Sequence, residues 1–261
     1  MKSEQVLCSI ENGIATITLN CPETGNAIDL SFATAFSEAV ERVAGNPDVR
    51  VLLINGKGRV FCVGGDIAAM SRSEDLPAFL NALLATLHSA AQRIAGLPVP
   101  VVCAIHGPVG GGGIGIALCG DIVLASESVK IRGGYSAIGL SPDFGASWWL
   151  TKRAGPARAK RILLLNEATD AAKCLEYGLL DAVYPDQELA PEAASLTNRL
   201  ASGATQSFQK IKQLVDGVAD RSLEEHLDLE ARYMIASSTT TDASEGLRAF
   251  LRKATPVFKG R

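Results

Sequence analysis

Two glycine-rich segments and one isolated acid are the stretches of this chain whose residue types and spacing could do chemistry. Residues 108–115 read PVGGGGIG, between two apolar runs. Glycine gives up the most conformational freedom on folding, so four in succession are costly unless bare backbone must approach something. Upstream, Phe61-Cys62-Val63-Gly64-Gly65-Asp66-Ile67 has the same context, following an expected strand and preceding a helical run. Each segment can therefore present a free N–H at a strand end or helix N-terminus. Two such donors converging on one oxygen form an oxyanion hole, which serves an acyl carbonyl that becomes an enolate or a tetrahedral species. Tight strand-to-helix turns would account for the same glycines. A third stretch, YSAIGLSPDFG at 135–145, sets Asp143 in a Pro-Asp turn among apolar residues. Desolvation there raises a carboxylate toward the general-base range, although an aspartate in such a place also suits a helix cap or turn.

Other chemistries fit less well. Gly110, Gly112 and Gly115 match the G-x-G-x-x-G of a dinucleotide-binding turn. That unit needs a helix of about three turns and an acid about 20 residues on. Here the next strand begins near Asp121, which leaves too little helix, although Glu127 stands where such an acid would. No P-loop pattern occurs, and His88, His106 and His226 lack metal-ligand spacing, so no metal site is expected. The six cysteines are scattered, without a C-x-x-C pair, and read as buried thiols of a reducing cytosol. Cys62 and Cys119 have no paired base and read as inert thiols. Asp66 and Asp121 read as organisers of helix ends and turns.

The elements that must position these residues follow from periodicity. The chain has 261 residues, 47% hydrophobic and 20% charged, with a net charge of -3 and no Lys/Arg run. That balance suits one large globular domain, gives no footprint for nucleic acid or an anionic membrane, and leaves small molecules or further copies of the chain as partners. No apolar stretch approaches about 18 residues, and MKSEQVLCSIENG lacks a signal-peptide core, so a cytoplasmic protein is expected. A hairpin over 6–10 and 14–19 turns at Asn12-Gly13. Helices follow over 30–43 and 76–94, strands over 49–54 and 99–105, a short helix over 113–119, and strands over 122–125 and 129–132. From Gly155 the pattern turns helical: Pro156 suits a first helical position, Asp170 a cap and Gly178 a stop. Ser222–Glu225 reads as a capping box and Asp242–Glu245 as a related start. The fold class is α/β, with a core over 1–195 and a helical region over 196–261.

FCVGGDI (61–67), HGPVGGGGIGIALCGDIVLAS (106–126) and GLSPDFGASWWLTKRAG (139–155), with LNCPETGNAID (19–29) and EGLRAFLRKATPVFKGR (245–261), together resemble the crotonase superfamily of enoyl-CoA hydratases and isomerases. The resemblance runs almost end to end. It implies a spiral of ββα repeats, a C-terminal helical trimerisation region, a homotrimer or homohexamer, and an acyl-CoA thioester substrate. No separate cofactor is implied, because CoA is part of the substrate. Position by position, it gives the hole to the N–H groups of Gly65 and Gly112. It places backbone around Val63 and Asp66 near the CoA adenine, and brings Lys259, with Phe258, to a neighbouring subunit's CoA.

The departures from the family pattern carry as much meaning as the matches. Hydratases of the family keep two glutamates where this sequence has Gly115 and Tyr135, so efficient hydration is not expected. Asp143 matches the single acid of several isomerases, and its surroundings resemble most closely the ring-1,2-epoxyphenylacetyl-CoA isomerase branch. One carboxylate suffices for a proton shift through an enolate. The expected activity is therefore an acyl-CoA isomerase that moves a double bond or opens a ring epoxide. A hydratase-like enzyme, a hydrolase or dehalogenase with Asp143 as nucleophile, and a non-catalytic acyl-CoA binder are the alternatives. Tyr135 reads as a core residue or a hydrogen-bond donor to substrate, and Phe144, Trp148 and Trp149 as core or as acyl-pocket wall. Met70 reads as core.

Overall fold

The computed structural model describes residues 4–260. The chain opens with β1 (Val6–Glu11) and β2 (Ile14–Leu19), an antiparallel hairpin. Its Asn12 and Gly13 both take positive φ (52° and 78°), the turn that matches the twist of paired strands. The Asp29 carboxylate caps α1 (Leu30–Ala44), which buries Phe32, Phe36, Val40 and Val43 on one face. β3 (Val51–Gly56) leads to α2 (Ile67–Arg72) and α3 (Leu76–Ala95), capped by Asp66 and Asp75. β4 (Val101–Ile105) is buried at every residue, as suits a parallel strand covered on both faces. Next come β5 (Pro108–Gly110), α4 (Gly113–Leu118), β6 (Ile122–Ser126), β7 (Lys130–Arg132) and α5 (Ala146–Leu165). β8 (Thr169–Asp170), α6 (Ala171–Glu176) and β9 (Ala182–Tyr184) precede α7 (Leu189–Ala201), α8 (Thr205–Asp216), α9 (Leu223–Ser238) and α10 (Thr241–Arg252).

Successive turns of the chain supply one strand to a large sheet, one extended segment to a smaller ladder, and then a helix. The large sheet runs β1-β2-β3-β4-β6-β9 and is parallel beyond the hairpin. The smaller ladder runs β5-β7-β8 and is prolonged by the parallel bridges Cys62↔Val109 and Ile28↔Gly65. This is the ββα spiral that the resemblance implies. Because the rungs holding Cys62, Val109 and Ile131 run in parallel, the residues that follow them emerge side by side. The two glycine segments and the approach to Tyr135 are thereby brought to one place.

Several boundaries differ from the sequence expectation. α5 begins at Ala146 and is broken at Gly155 (φ 79°, ψ 164°), where Pro156 starts its second half. Periodicity missed the first half because polar and apolar faces are poorly separated there. Residue 195, the expected end of the core, lies within α7, whose Leu189, Ala193 and Ala201 pack with Val51, Val102 and Leu124 of the sheet. The helical extension therefore starts at α8. The Ser222–Glu225 capping box is present, but α10 is capped by Thr240, whose hydroxyl accepts from Ala243 N. Asp242 is buried instead, and its two oxygens accept the N–H groups of Lys259 and Gly260 at 2.7 Å each. Arg50 grips the same tail from the core side, donating to Phe258 O (3.4 Å), Gly203 O (2.6 Å) and Thr205 Oγ1 (3.1 Å). Among the described residues, no helix is long and apolar enough to cross a membrane.

The Asp242 clamp makes a stability prediction. Asp242→Ala leaves two N–H groups without their charged acceptor and is expected to cost about 2 kcal/mol. A lowered denaturant midpoint and faster tryptic cleavage at Lys253 would show it; an unchanged midpoint with an equally protected tail would refute it.

Candidate active site

A cavity of about 530 Å³ opens where the glycine segments emerge. Ile67, Met70, Leu80, Leu84, Ile138 and Phe144 give it apolar walls. His88, Arg132 and Asp143 line it as well, and Asp143 is the only acid among the described residues that do. Val63, Gly65, Gly112 and Tyr135 also face it, whereas Asp66 and Lys259 do not.

The backbone of the two glycine segments is mostly spoken for. Gly110 N donates to Cys62 O (2.9 Å), Gly111 N to Gly133 O (3.1 Å), Gly115 N to Gly112 O (3.0 Å) and Asp66 N to Ile28 O (2.9 Å). The N–H groups of Gly65 and Gly112 have no acceptor among the described residues. Two free donors on a cavity wall suit an oxygen that gains charge. The segments can lie back to back only as bare backbone. A Cβ on Gly64, which sits at φ 93°, would come within 2.7 Å of Gly110 O, and one on Gly113 within 2.6 Å of Cys62 O. Asp66 has no spare role, since its carboxylate caps α2 through Ala69 N (2.9 Å). Asp121 is likewise structural, accepting from Val101 N (2.7 Å) and Lys212 Nζ (2.6 Å).

Asp143 stands against Gly112, since a Cβ on that glycine would lie 3.2 Å from its Oδ1. That oxygen accepts a hydrogen bond from the Tyr135 hydroxyl at 2.6 Å. Burial raises the Asp143 carboxyl above its ordinary range, while the Tyr135 bond and the charge of His88 pull it back down. Burial also pushes the Tyr135 phenol up, so it stays protonated and remains a donor. The loop is fixed from below. Phe144 takes φ 47°, unusual for a residue with a side chain, and buries its ring edge-on to Phe36 at 6.1 Å. Gly115 lies fully buried beneath this loop, and a Cβ there would meet Phe144 O at 2.1 Å. The place of a side chain at 115 is filled by the backbone that carries Asp143.

The fold separates other residues that the sequence put close together. Trp148 and Trp149 line a different groove with Lys152, Ile211 and Val215, and Trp148 is 62% exposed with Lys152 Nζ over its ring at 5.8 Å. The two tryptophans thus do not line the cavity at the glycine segments, whereas Phe144 does. Met70 is buried and also lines the cavity, with its Cε where a Cβ on Gly65 would go. Cys62 is buried, and desolvation pushes its thiol up to about 12, which leaves no nucleophile. Sequence reasoning missed His88, which nothing but its helical face could flag, and Asn26. The latter is fully buried at φ 55°. Its Nδ2 reaches the carbonyls of Lys57, Val60 and Phe61 (2.8–3.0 Å) and its Oδ1 accepts Cys21 N (2.7 Å). Asn26 thereby fixes the approach to Gly65, and the Thr24-Gly25-Asn26 turn was its one local signal.

The chain is similar to known proteins over nearly its whole length. The family pattern described as enoyl-CoA hydratase/isomerase matches residues 9–261. The 1,2-epoxyphenylacetyl-CoA isomerase of Escherichia coli (strain K12) is 35% identical, the alignment covering 99% of each chain. A trans-2-decenoyl-acyl-carrier-protein isomerase of Streptococcus mutans is 32% identical over 100% of both chains. Among solved structures, an enoyl-CoA hydratase from Polaromonas sp. JS666 superimposes with a TM-score of 0.91 at 29% identity, covering 97% of this chain and 99% of that one. On this family match and these similarities, together with its spiral fold, the chain belongs to the enoyl-CoA hydratase/isomerase, or crotonase, family.

Proposed function

We propose that the protein is an acyl-CoA isomerase with a single acid/base, Asp143. The observation that carries this reading is the position of Asp143, the one acid lining the cavity, directly against Gly112. The thioester oxygen sits between the Gly65 and Gly112 N–H groups. Ionised Asp143 takes a proton from the α-carbon of a 3-enoyl thioester, the negative charge moves onto the held oxygen, and the same proton returns at the γ-carbon. Atoms balance without water or a cofactor. Opening a ring epoxide whose nearer carbon is β to the thioester carbonyl would use the same stabilisation of an enolate formed at the α-carbon, and the likeness to the E. coli isomerase supports that narrower version.

Hydration would need a second carboxylate to activate water. Position 135 carries a tyrosine, and position 115 has no room for a side chain. For the remainder of the ligand, Val63 at the cavity mouth suits the CoA moiety, with Lys259 supplied by a neighbouring subunit. That assignment goes with a homotrimer or homohexamer, since α9 and α10 leave Met234, Ile235, Leu247, Leu251 and Phe250 (82%) exposed on a single chain. A soluble acyl-CoA substrate and unpaired buried thiols favour the cytoplasm.

Three outcomes are expected. Asp143→Asn should lower kcat for conversion of 3-enoyl- to 2-enoyl-CoA by about 10²- to 10⁴-fold with little change in KM, followed by absorbance of the conjugated thioester. A variant as active as the parent, or an aspartyl ester trapped in single turnover, would sink the proposal. Introducing Gly115→Glu together with Tyr135→Glu should create no hydratase, because Phe144 O fills the first position; rapid formation of 3-hydroxyacyl-CoA by the double variant would contradict this. Light scattering should give three or six times the chain mass, and a monomer at micromolar concentration would remove the neighbour's Lys259 from the site.

A further inference from the structure

We infer that Tyr135 is the positioning residue of the acid/base: its hydroxyl pins Asp143 Oδ1, so the carboxylate presents Oδ2 to the substrate. The inference rests on the isomerase reading and deepens it. At 2.6 Å the O–H···O contact is in the short range of charge-assisted bonds. No other side chain among the described residues hydrogen-bonds to the Asp143 carboxylate. The terminal torsion of an aspartate is broad, so packing of the backbone alone would leave its two oxygens interchangeable.

Both partners are held independently. Tyr135 is 7% exposed and begins a 3-10 turn (Tyr135–Ile138) whose first carbonyl accepts Leu140 N at 3.1 Å. The preceding Gly134 N donates to Asn166 Oδ1 at 2.7 Å, which ties the turn to the end of α5. Asp143 is fixed through Phe144 in the core and through its carbonyl, which accepts Ala146 N at 2.9 Å. The hydrogen bond therefore joins two anchored loops.

The groups facing Asp143 are Tyr135 from the 3-10 turn, His88 from α3, and Cys62 from the segment after β3, with Arg132 from β7 on the same cavity. Of these, Tyr135 alone is in hydrogen-bond contact. Its proton stays on the phenol throughout, because burial disfavours the phenolate. The proton that moves is thus the substrate's own, taken and returned by one oxygen. The hydroxyl stabilises the ionised carboxylate, so its removal moves Asp143 titration to higher pH.

The test is Tyr135→Phe in the full chain. Expected are a fall in kcat of about 10²-fold with KM little changed, and a shift to higher pH of both the acid limb of kcat/KM and the Asp143 titration read by ¹³C NMR of its carboxyl. A kcat equal to the parent's overturns the inference, and so does a lower kcat with an unmoved titration, which would mark a packing effect alone. Should Tyr135→Phe fold poorly, 3-fluorotyrosine at position 135, a stronger donor, must move both limb and titration to lower pH; movement the other way overturns the inference. The two readings fail separately. A parent that shifts no double bond sinks the isomerase assignment, whereas identical Asp143 titration in parent and variant sinks the role of Tyr135.

Discussion

The site depends on three loops meeting without side chains between them. The segments at 62–65, 110–115 and 143–145 approach so closely that a single Cβ on Gly64, Gly113 or Gly115 would fall 2.1–2.7 Å from a carbonyl oxygen of another loop. No side-chain packing can substitute for that contact, since the distances are those of backbone against backbone. The spiral makes it possible by lining Cys62, Val109 and Ile131 along one ladder, so that the loops leave it as neighbours. Asn26 completes the arrangement by occupying the carbonyls of the segment that leads into Gly65.

This close packing does two chemical things together. It locks the N–H groups of Gly111 and Asp66 while leaving those of Gly65 and Gly112 without a backbone acceptor among the described residues, an arrangement that needs no rebuilding to meet an oxygen. It also brings Asp143 beside Gly112 on a loop of unusual conformation. The positive φ of Phe144 costs about 1 kcal/mol or somewhat more. Burial of its ring against Phe36 returns about 2 to 3 kcal/mol, enough to hold the loop. The acid is therefore kept in an apolar setting by the core and not by the loop's own preference, and Gly115 is the bare position that lets the loop settle there.

The C-terminal region obeys a different logic. α8 and α9 bury no residue within a single chain, yet the tail beyond α10 is held to the core by Asp242 and Arg50. Charge-assisted bonds fix the tail's path where hydrophobic burial is scarce. That gives the chain a defined end at which Lys259 stands, beside helices whose large apolar side chains are exposed on a single chain.

By itself the sequence determined what is local. The Asn12-Gly13 hairpin, the Ser222–Glu225 capping box, the alternation of strand and helix, and the two glycine segments as tight strand-to-helix passages could all be read because each depends on residues a few positions apart. Asp143 could be found for the same reason, as an acid in an apolar turn. Tertiary structure alone decided what that acid touches. Tyr135 is a turn away in the chain and resembles any half-buried tyrosine until the loop folds back on it. The missing glutamate at 115 looks like a vacancy until Phe144 O is seen filling it. Trp148 and Trp149 adjoin Asp143 in sequence, but the helix that starts at Ala146 carries them to another face. Asp242 reads as a helix start until the tail returns to it. In each case the deciding contact joins loops that leave different strands or helices, and side-chain periodicity holds no information about which loops the spiral brings together.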